Sequence, residues 1–313
     1  MPTGWLIRNG SEMTNVSFQS ANLTAGKRVF TSNKQWTTTA YGSTYNAAYR
    51  YGNNMGDIEY RSYTIPVPSG SQTFTSSGTF IVPTGVTKIK VFCVGGGSAG
   101  DGTDGGGGGY TKTSTLTVSQ GQQISVSIGA GGVYYYGENE SANYRKGGDT
   151  TCGSVTATGA GDASTGRGSF NGGSGGGCAG TATASYEPYG GDGGSDGSNG
   201  DSGGWTNRPD RYPGGTGQGS TTRAYGESSG TLYAGGGGGG FDTSFTQDGE
   251  GGWWRDGRKG KGGAGGGAAA ENSASANTGG GGGGATLRYY GGSNINGGNG
   301  GSGICLIKWG PDI

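Results

Sequence analysis

Twelve side chains in the glycine-rich part of this chain have types suited to molecular recognition. They are Trp205, Arg208, Arg211, Tyr212, Phe241, Phe245, Trp253, Trp254, Arg255, Arg288, Tyr289 and Tyr290. They fall in three short segments, 205–213, 241–256 and 285–290, each bordered by runs of glycine. Tryptophan, tyrosine and arginine are enriched where interfaces concentrate their binding energy, and aromatic faces stack on sugar rings. The chemistry these segments suggest is adhesion. A second reading stands beside it, in which the aromatics pack on one another and cap exposed backbone.

Bond-making chemistry has fewer resources. The 313 residues include no histidine, which removes the usual general base and the Ser–His–Asp arrangement. The four cysteines, Cys93, Cys152, Cys178 and Cys305, show no C-x-x-C spacing, so a zinc site of the common kinds is not expected. They read as small buried hydrophobes, with Cys93 and Cys305 candidates for neighbours on the first and last core strands. Gly-x-Gly-x-x-Gly patterns arise by chance in so glycine-rich a chain, and no G-K-[ST] follows any of them. Asp and Glu are scattered, which leaves a glycan depolymerase as a remote reading. The chain is read as a non-enzyme without cofactors or metals.

Lys plus Arg and Asp plus Glu number 21 each, giving a net charge of zero. That argues against nucleic acid or anionic membrane surfaces as partners. Apolar stretches are only a few residues long, too short for a membrane-spanning helix. The opening residues "MPTGWLIRNGSEM" lack the layout of a signal peptide, so an outside role is expected to use another export route or lysis.

The elements that would have to position the aromatic segments are the glycine runs. Glycine numbers 81, far above the ~7% of an average protein. Only nine lie in residues 1–94. Glycine-dominated runs occur at 172–180, 190–204, 214–219, 235–240, 257–268, 279–284 and 291–303, separated by bulky or polar breaks. In patches glycine recurs every third residue, as at 191, 194, 197, 200 and 203. A period of three fits a left-handed extended helix with three residues per turn and no internal hydrogen bonds. Its N–H and C=O groups point outward and can bond to neighbouring helices if no Cβ keeps them apart. With only 8 prolines and no long strict G-X-Y array, collagen does not fit. At ~3.1 Å per residue, runs of six to fourteen residues span ~19–43 Å.

The reading is therefore a stack of polyglycine-II helices over 161–301. All-glycine 235–240 and 279–284 are expected in its middle layer, and charged 190–204 and 257–268 outside. If each run crosses once, loops alternate between two ends. One end receives 181–189, 220–234 and 269–278; the other receives 205–213, 241–256 and 285–290, with every loop tryptophan. By the same count the tyrosine-rich 133–145 falls at the opposite end.

A β core is expected over 71–160, closed by a strand at 302–310. A Pro-Thr-Gly turn at 83–85 leads into a strand over 86–94, with Ile89, Val91 and Cys93 on one face and Lys88, Lys90, Phe92 and Val94 on the other. Residues 110–132 read as a hairpin turned at Gln120–Gly121, and 147–161 as one further strand. In 1–70, "GWLIRNG", "NVSFQS", "KRVFTS" and "SYTIPVP" read as short strands. Tyr41, Tyr45 and Tyr49 recur every four residues, which fits one helical face or a tyrosine-rich loop. The fold class is thus all-β: a small β-sandwich core carrying a glycine-helix sandwich, plus a β-rich N-terminal region.

Four segments in order, "TFTSSGTFIVPTGVTKIKVFCVGGG", "TLTVSQGQQISVSIGAGG", "GGDTTCGSVTATGAG" and "GICLIKW", resemble the glycine-rich domain of bacteriophage tail-fibre and adhesin proteins over about 71–310. Cys152 departs from the bulky apolar residue expected there, and the long insertions are this chain's own. The resemblance implies a virion tail-tip protein whose variable loops touch the host. On that reading the partners are a bacterial surface protein or glycan at the loops, and a tail or fibre protein at 1–70. A homo-oligomer is compatible with it. The rival is a surface protein that polymerises into filaments through 1–70. An ice-binding surface would need regular Thr or Ser rows, which the runs lack.

Overall fold

The computed structural model describes residues 6–8, 11–13, 44–50, 58–64, 68–100, 102–134, 145–161, 172–181, 195–200, 222–242, 259–287 and 295–313. Among them are strands and a single 3-10 turn at Ala224–Gly226, and no α-helix. The N-terminal region contributes two antiparallel pairs: β1 (Leu6–Arg8) with β2 (Ser11–Met13), and β3 (Thr44–Arg50) with β4 (Ile58–Thr64). Tyr45 and Tyr49 therefore lie on a strand, not a helix or loop. Four is a multiple of the strand period of two, so their spacing could not separate the alternatives. "NVSFQS", "KRVFTS" and Tyr41 lie outside the described residues.

Two antiparallel four-stranded sheets form the core. The first runs β5 (Gly70–Phe74), β15 (Ile304–Trp309), β7 (Lys88–Val94), β8 (Thr111–Thr117). The second runs β11 (Val155–Ala157), β10 (Thr150–Cys152), β9 (Gln123–Ser127), β6 (Gly78–Ile81). The C-terminal strand β15 thus sits between β5 and β7. Ile89, Val91 and Cys93 point into the shared core with Phe80, Ile124, Val126, Cys152, Cys305 and Ile307. Phe92 and Val94 face the other way, against Tyr225, Tyr233 and Ala234. This is the alternation expected of a strand buried on both faces.

Two details differ from the sequence reading. The strands around Gln120–Gly121 are not a hairpin, because β8 pairs with β7 while β9 pairs with β6 and β10. The turn exists, with Gly121 at φ +73°, but Gly121 donates to Val82 O and Val82 to Gln122 O. Those bonds tie the turn to the end of β6 and carry the chain from one sheet to the other. Residues 147–161 hold two strands, β10 and β11, folded back at Gly153 (φ +56°). The 83–85 turn is as expected, with Val86 N bonded to Pro83 O.

Above the sandwich lie extended glycine segments that bond to one another. In 235–240 the bonds repeat every three residues. Gly235 and Gly238 donate to Gly265 and Ala268; Gly237 and Gly240 donate to Gly106 and Thr103. The carbonyls of Gly235 and Gly238 accept from Gly281 and Gly284, those of Gly236 and Gly239 from Gly263 and Gly260, and that of Gly237 from Gly177. In 279–284 all six carbonyls accept backbone amides, from Gly109, Gly301, Ala268, Gly106, Gly298 and Glu271 in turn. Both segments are buried throughout. In 259–264, Lys259, Lys261 and Ala264 are exposed while Gly260 and Gly263 are buried. Ser198 and Asn199 of the 190–204 run are exposed too. Among the described residues of these four runs, the all-glycine segments are buried and the charged or polar runs carry the exposed positions, as glycine content suggests.

The single-crossing count does not hold. The run 257–268 reverses within itself: 260–263 bonds antiparallel to 236–239, then Gly265 and Gly266 (φ +99° and +93°) turn the chain so that 265–268 runs parallel to 235–238. Residues 272–278 come back again, from Gly283 N at Asn272 O to Ala234 N at Thr278 O. They form a further segment across the stack, not a loop at one end.

Candidate binding face

Three of the glycine runs leave the stack side by side. Their last residues form a short parallel sheet of β12 (Gly180–Thr181), β13 (Phe241–Asp242) and β14 (Thr286–Leu287), with Gly180, Phe241 and Thr286 in register. Parallel pairing means that all three runs point the same way. Residues 195–200 share that direction, since Gly175 donates to Ser198 O and Gly176 O lies against Gly200. The segments 181–189, 241–256 and 285–290 consequently start from one end. This corrects the assignment of 181–189 to the opposite end, and the reason is that neighbouring runs are parallel where the count required them to alternate.

One turn, 102–104, holds all three run ends. The amide of Ala179 donates to Asp104 Oδ1 at 2.5 Å, that of Gly240 to Thr103 O at 2.6 Å, and that of Ala285 to Gly102 O at 2.7 Å. Gly102 takes φ +51°, a conformation glycine adopts at little cost. Close by, Glu271 accepts the hydroxyl of Thr286 and pairs with Lys259. Glu271 itself takes φ +69°, and its amide donates to Gly284 O. Its side chain is 10% exposed, so the ion pair and the hydroxyl bond satisfy a carboxylate largely removed from water.

The tyrosine-rich segment starts here as well. Tyr134 N donates to Asn299 Oδ1 at 2.7 Å. The Tyr134 ring lies against Gly297, which also neighbours Gly283 O, close to the start of β14. The count had set 133–145 at the opposite end, an error with the same cause.

Of the nominated residues, Phe241 is placed on β13, in register with Gly180 and Thr286. Trp205, Arg208, Arg211, Tyr212, Phe245, Trp253, Trp254, Arg255, Arg288, Tyr289 and Tyr290 lie outside the described residues. What the structure gives for them is the points of departure at Gly200, Asp242 and Leu287. Sequence reasoning missed the supporting residues Asp104, Glu271 and Asn299. The signal was present in 95–109, a further glycine run broken at Ser98–Ala99 and around 101–104.

At the opposite end, 222–234 folds onto the outer face of the first sheet. Lys308 Nζ donates to Glu227 Oε1 at 2.6 Å and lies 4.4 Å from the Tyr225 ring centroid; Lys90 Nζ is 3.7 Å from the same carboxylate. The hydrogen bond from Lys308 holds the Glu227 carboxyl below the usual range. Burial pushes the Tyr225 and Tyr233 phenols up. Their rings lie 5.9 and 5.6 Å from that of Phe92, so these aromatics cover the core.

A family model described as a glycine-rich domain matches residues 70–310. No curated protein matches the chain.

Proposed function

The chain belongs to the glycine-rich domain family, and from that premise we propose that it is a non-enzymatic adhesin of a phage tail tip or tail fibre. The extended glycine segments are polyglycine-II helices, in keeping with their three-residue bonding period. The loops that leave the stack beside β12, β13 and β14 bind a protein or glycan on the bacterial surface. Residues 1–70 dock to another tail or fibre protein, and the site of action is outside the cell on the virion. The observation that carries the reading is the shared exit: the runs preceding 181–189, 241–256 and 285–290 point one way and are held by one turn, and 195–200, ahead of Trp205, runs in the same direction. A rigid scaffold that gathers variable, aromatic loops at one end is how binding surfaces are commonly built. The test is adsorption to host cells by protein carrying Trp205→Ala, Trp253→Ala and Trp254→Ala together. Loss of adsorption with an unchanged melting temperature is expected. Unchanged adsorption sinks the assignment of this face.

One observation favours the filament reading. β5 lies at an edge of its sheet, is largely exposed, and directly follows the N-terminal region. An exposed edge offers unpaired backbone groups to another chain. Electron microscopy of the full protein beside a form lacking residues 1–67 separates the two. Discrete particles from both agree with an adhesin; filaments lost on truncation would make polymerisation the function.

A further inference from the structure

Cys93 on β7 and Cys305 on β15 are directly opposite in register, both fully buried, with Cys93 Sγ donating to Cys305 Sγ across 3.7 Å. Opposed residues on antiparallel strands have Cα atoms ~4.5 or ~5.5 Å apart according to the hydrogen-bonding position. Both values fall within the range a disulfide spans, about 4.4–6.8 Å. A third thiol, Cys152, lies in the same core and bonds to Cys305. It sits on β10, in the facing sheet, so no strand pairing sets it opposite Cys305. Cys93 and Cys305 are the pair whose Cα separation is fixed by direct strand pairing within the range a disulfide spans. Cys178 belongs to the glycine stack, outside this cluster.

We propose that Cys93 and Cys305 form a disulfide when the chain folds in the presence of a low-molecular-weight disulfide, stapling β7 to β15, the central pair of the first sheet. The Cys93 thiolate attacks one sulfur of the small disulfide and releases one reduced thiol. The Cys305 thiolate then attacks the Cys93 sulfur of the mixed disulfide and releases the second. The two protons lost by the cysteines end on the released thiols, and the two electrons reduce the small disulfide. Bonding with Cys152 and Cys93, followed by burial, pushes the Cys305 thiol up. All three thiols of the core are fully buried, so the folded core gives a small disulfide no access, and the step belongs to folding or to transient opening. The bond would close a loop between positions 212 apart in sequence, where constraint of the unfolded chain is large. A protein made in a reducing cell and later acting outside it would gain this staple on refolding or breathing in oxidising surroundings.

Trypsin sites at Lys90, Lys112, Lys146, Arg167, Arg211, Arg288 and Lys308 place the four cysteines in four different peptides. The experiment refolds the denatured full chain with oxidised glutathione, blocks remaining thiols by alkylation, digests without reductant and reads the peptides by mass spectrometry. A parallel sample of native protein is held with oxidised glutathione a few degrees below its melting temperature, so the result does not depend on refolding yield. The expected product joins 91–112 to 289–308, leaves Cys152 and Cys178 alkylated, and melts at a higher temperature than the reduced form. Four alkylated cysteines in both samples, or Cys305 joined to the Cys152 peptide, would overturn the proposal. So would a Cys93–Cys305 bond that lowers the melting temperature, since that marks a non-native cross-link.

Discussion

The amide of Gly237 lies 2.8 Å from the carbonyl oxygen of Gly106, in the buried middle of the stack. On another side of the same residue, a Cβ would stand 2.0 Å from Gly282 O. Both contacts are backbone against backbone, so neither neighbour can turn aside as a side chain could. Gly237→Ala is expected to destabilise the protein by more than ~3 kcal/mol, above the usual cost of overpacking, because segments and not rotamers must separate. Gly78→Ala is the control: its Cβ meets only the Phe74 ring at 3.4 Å, an ordinary contact on edge strand β6. Thermal melts of the two variants check this. Equal melting temperatures would mean that the segments are not packed as described.

Asp104 ties the candidate face together through the Ala179 amide. Asp104→Ala leaves that amide without its carboxylate acceptor where β12 begins. A charge-assisted hydrogen bond of this kind contributes about 1.5–3 kcal/mol. The expected outcome is a loss of stability of that order together with weaker adsorption to host cells. Adsorption reduced as in the tryptophan variants would connect the turn to the loops it gathers. A variant that loses stability and adsorbs fully would show that binding does not depend on this end.

Much of this architecture was legible because its causes are local. The alternation in 88–94 named the inward and outward residues of β7 correctly, since a strand's period of two is set by the backbone itself. The all-glycine runs announced the middle layer, since a segment surrounded on every side has no room for a Cβ. What escaped were properties of neighbours. Direction is invisible in a glycine run, which bonds equally well to parallel and antiparallel partners. So the count of crossings failed where Gly265 and Gly266 reverse the chain. The β8–β9 turn looked like a hairpin because its residues suit one. The choice of partner was made by β6, through Val82. Asp104 and Glu271 were unremarkable acids until the run ends were seen to meet them.

Acid should loosen the loop at the opposite end. The Glu227 carboxyl is held down chiefly by the hydrogen bond from Lys308, with Lys90 adding to it. A depressed folded-state pKa stabilises above the unfolded value, near 4.5, and that contribution is lost as pH falls through the folded value. The side chain is 48% exposed, so solvent screening limits the effect to roughly 0.5 kcal/mol. Glu227→Gln is expected to melt slightly lower than the parent from neutral pH to about pH 9, where the ionised carboxylate contributes, and to converge with it as pH falls below about pH 4.5, which flattens the acid limb. Raising the salt concentration should shrink the difference between the two proteins. An identical acid limb in variant and parent would remove Glu227 from the account.

The outer segment 259–264 offers the sharpest contrast, because tolerance should change within two residues. Ala264 is exposed, and its amide donates to Ser195 Oγ. Gly262 is half-buried, and a Cβ there would meet Gly267 O at 2.1 Å, where the chain has just turned back on itself. Ala264→Lys keeps the amide and adds a chain that extends into water, so a change within about 0.5 kcal/mol is expected. Gly262→Ala adds one methyl and is expected to cost several times as much, about 2 kcal/mol or more. A flexible glycine linker predicts the reverse order, since alanine restricts the unfolded chain and a surface lysine is merely neutral. Chemical denaturation of both variants decides between these orders. Equal midpoints would mean that 260–263 and 265–268 do not pack against each other in solution.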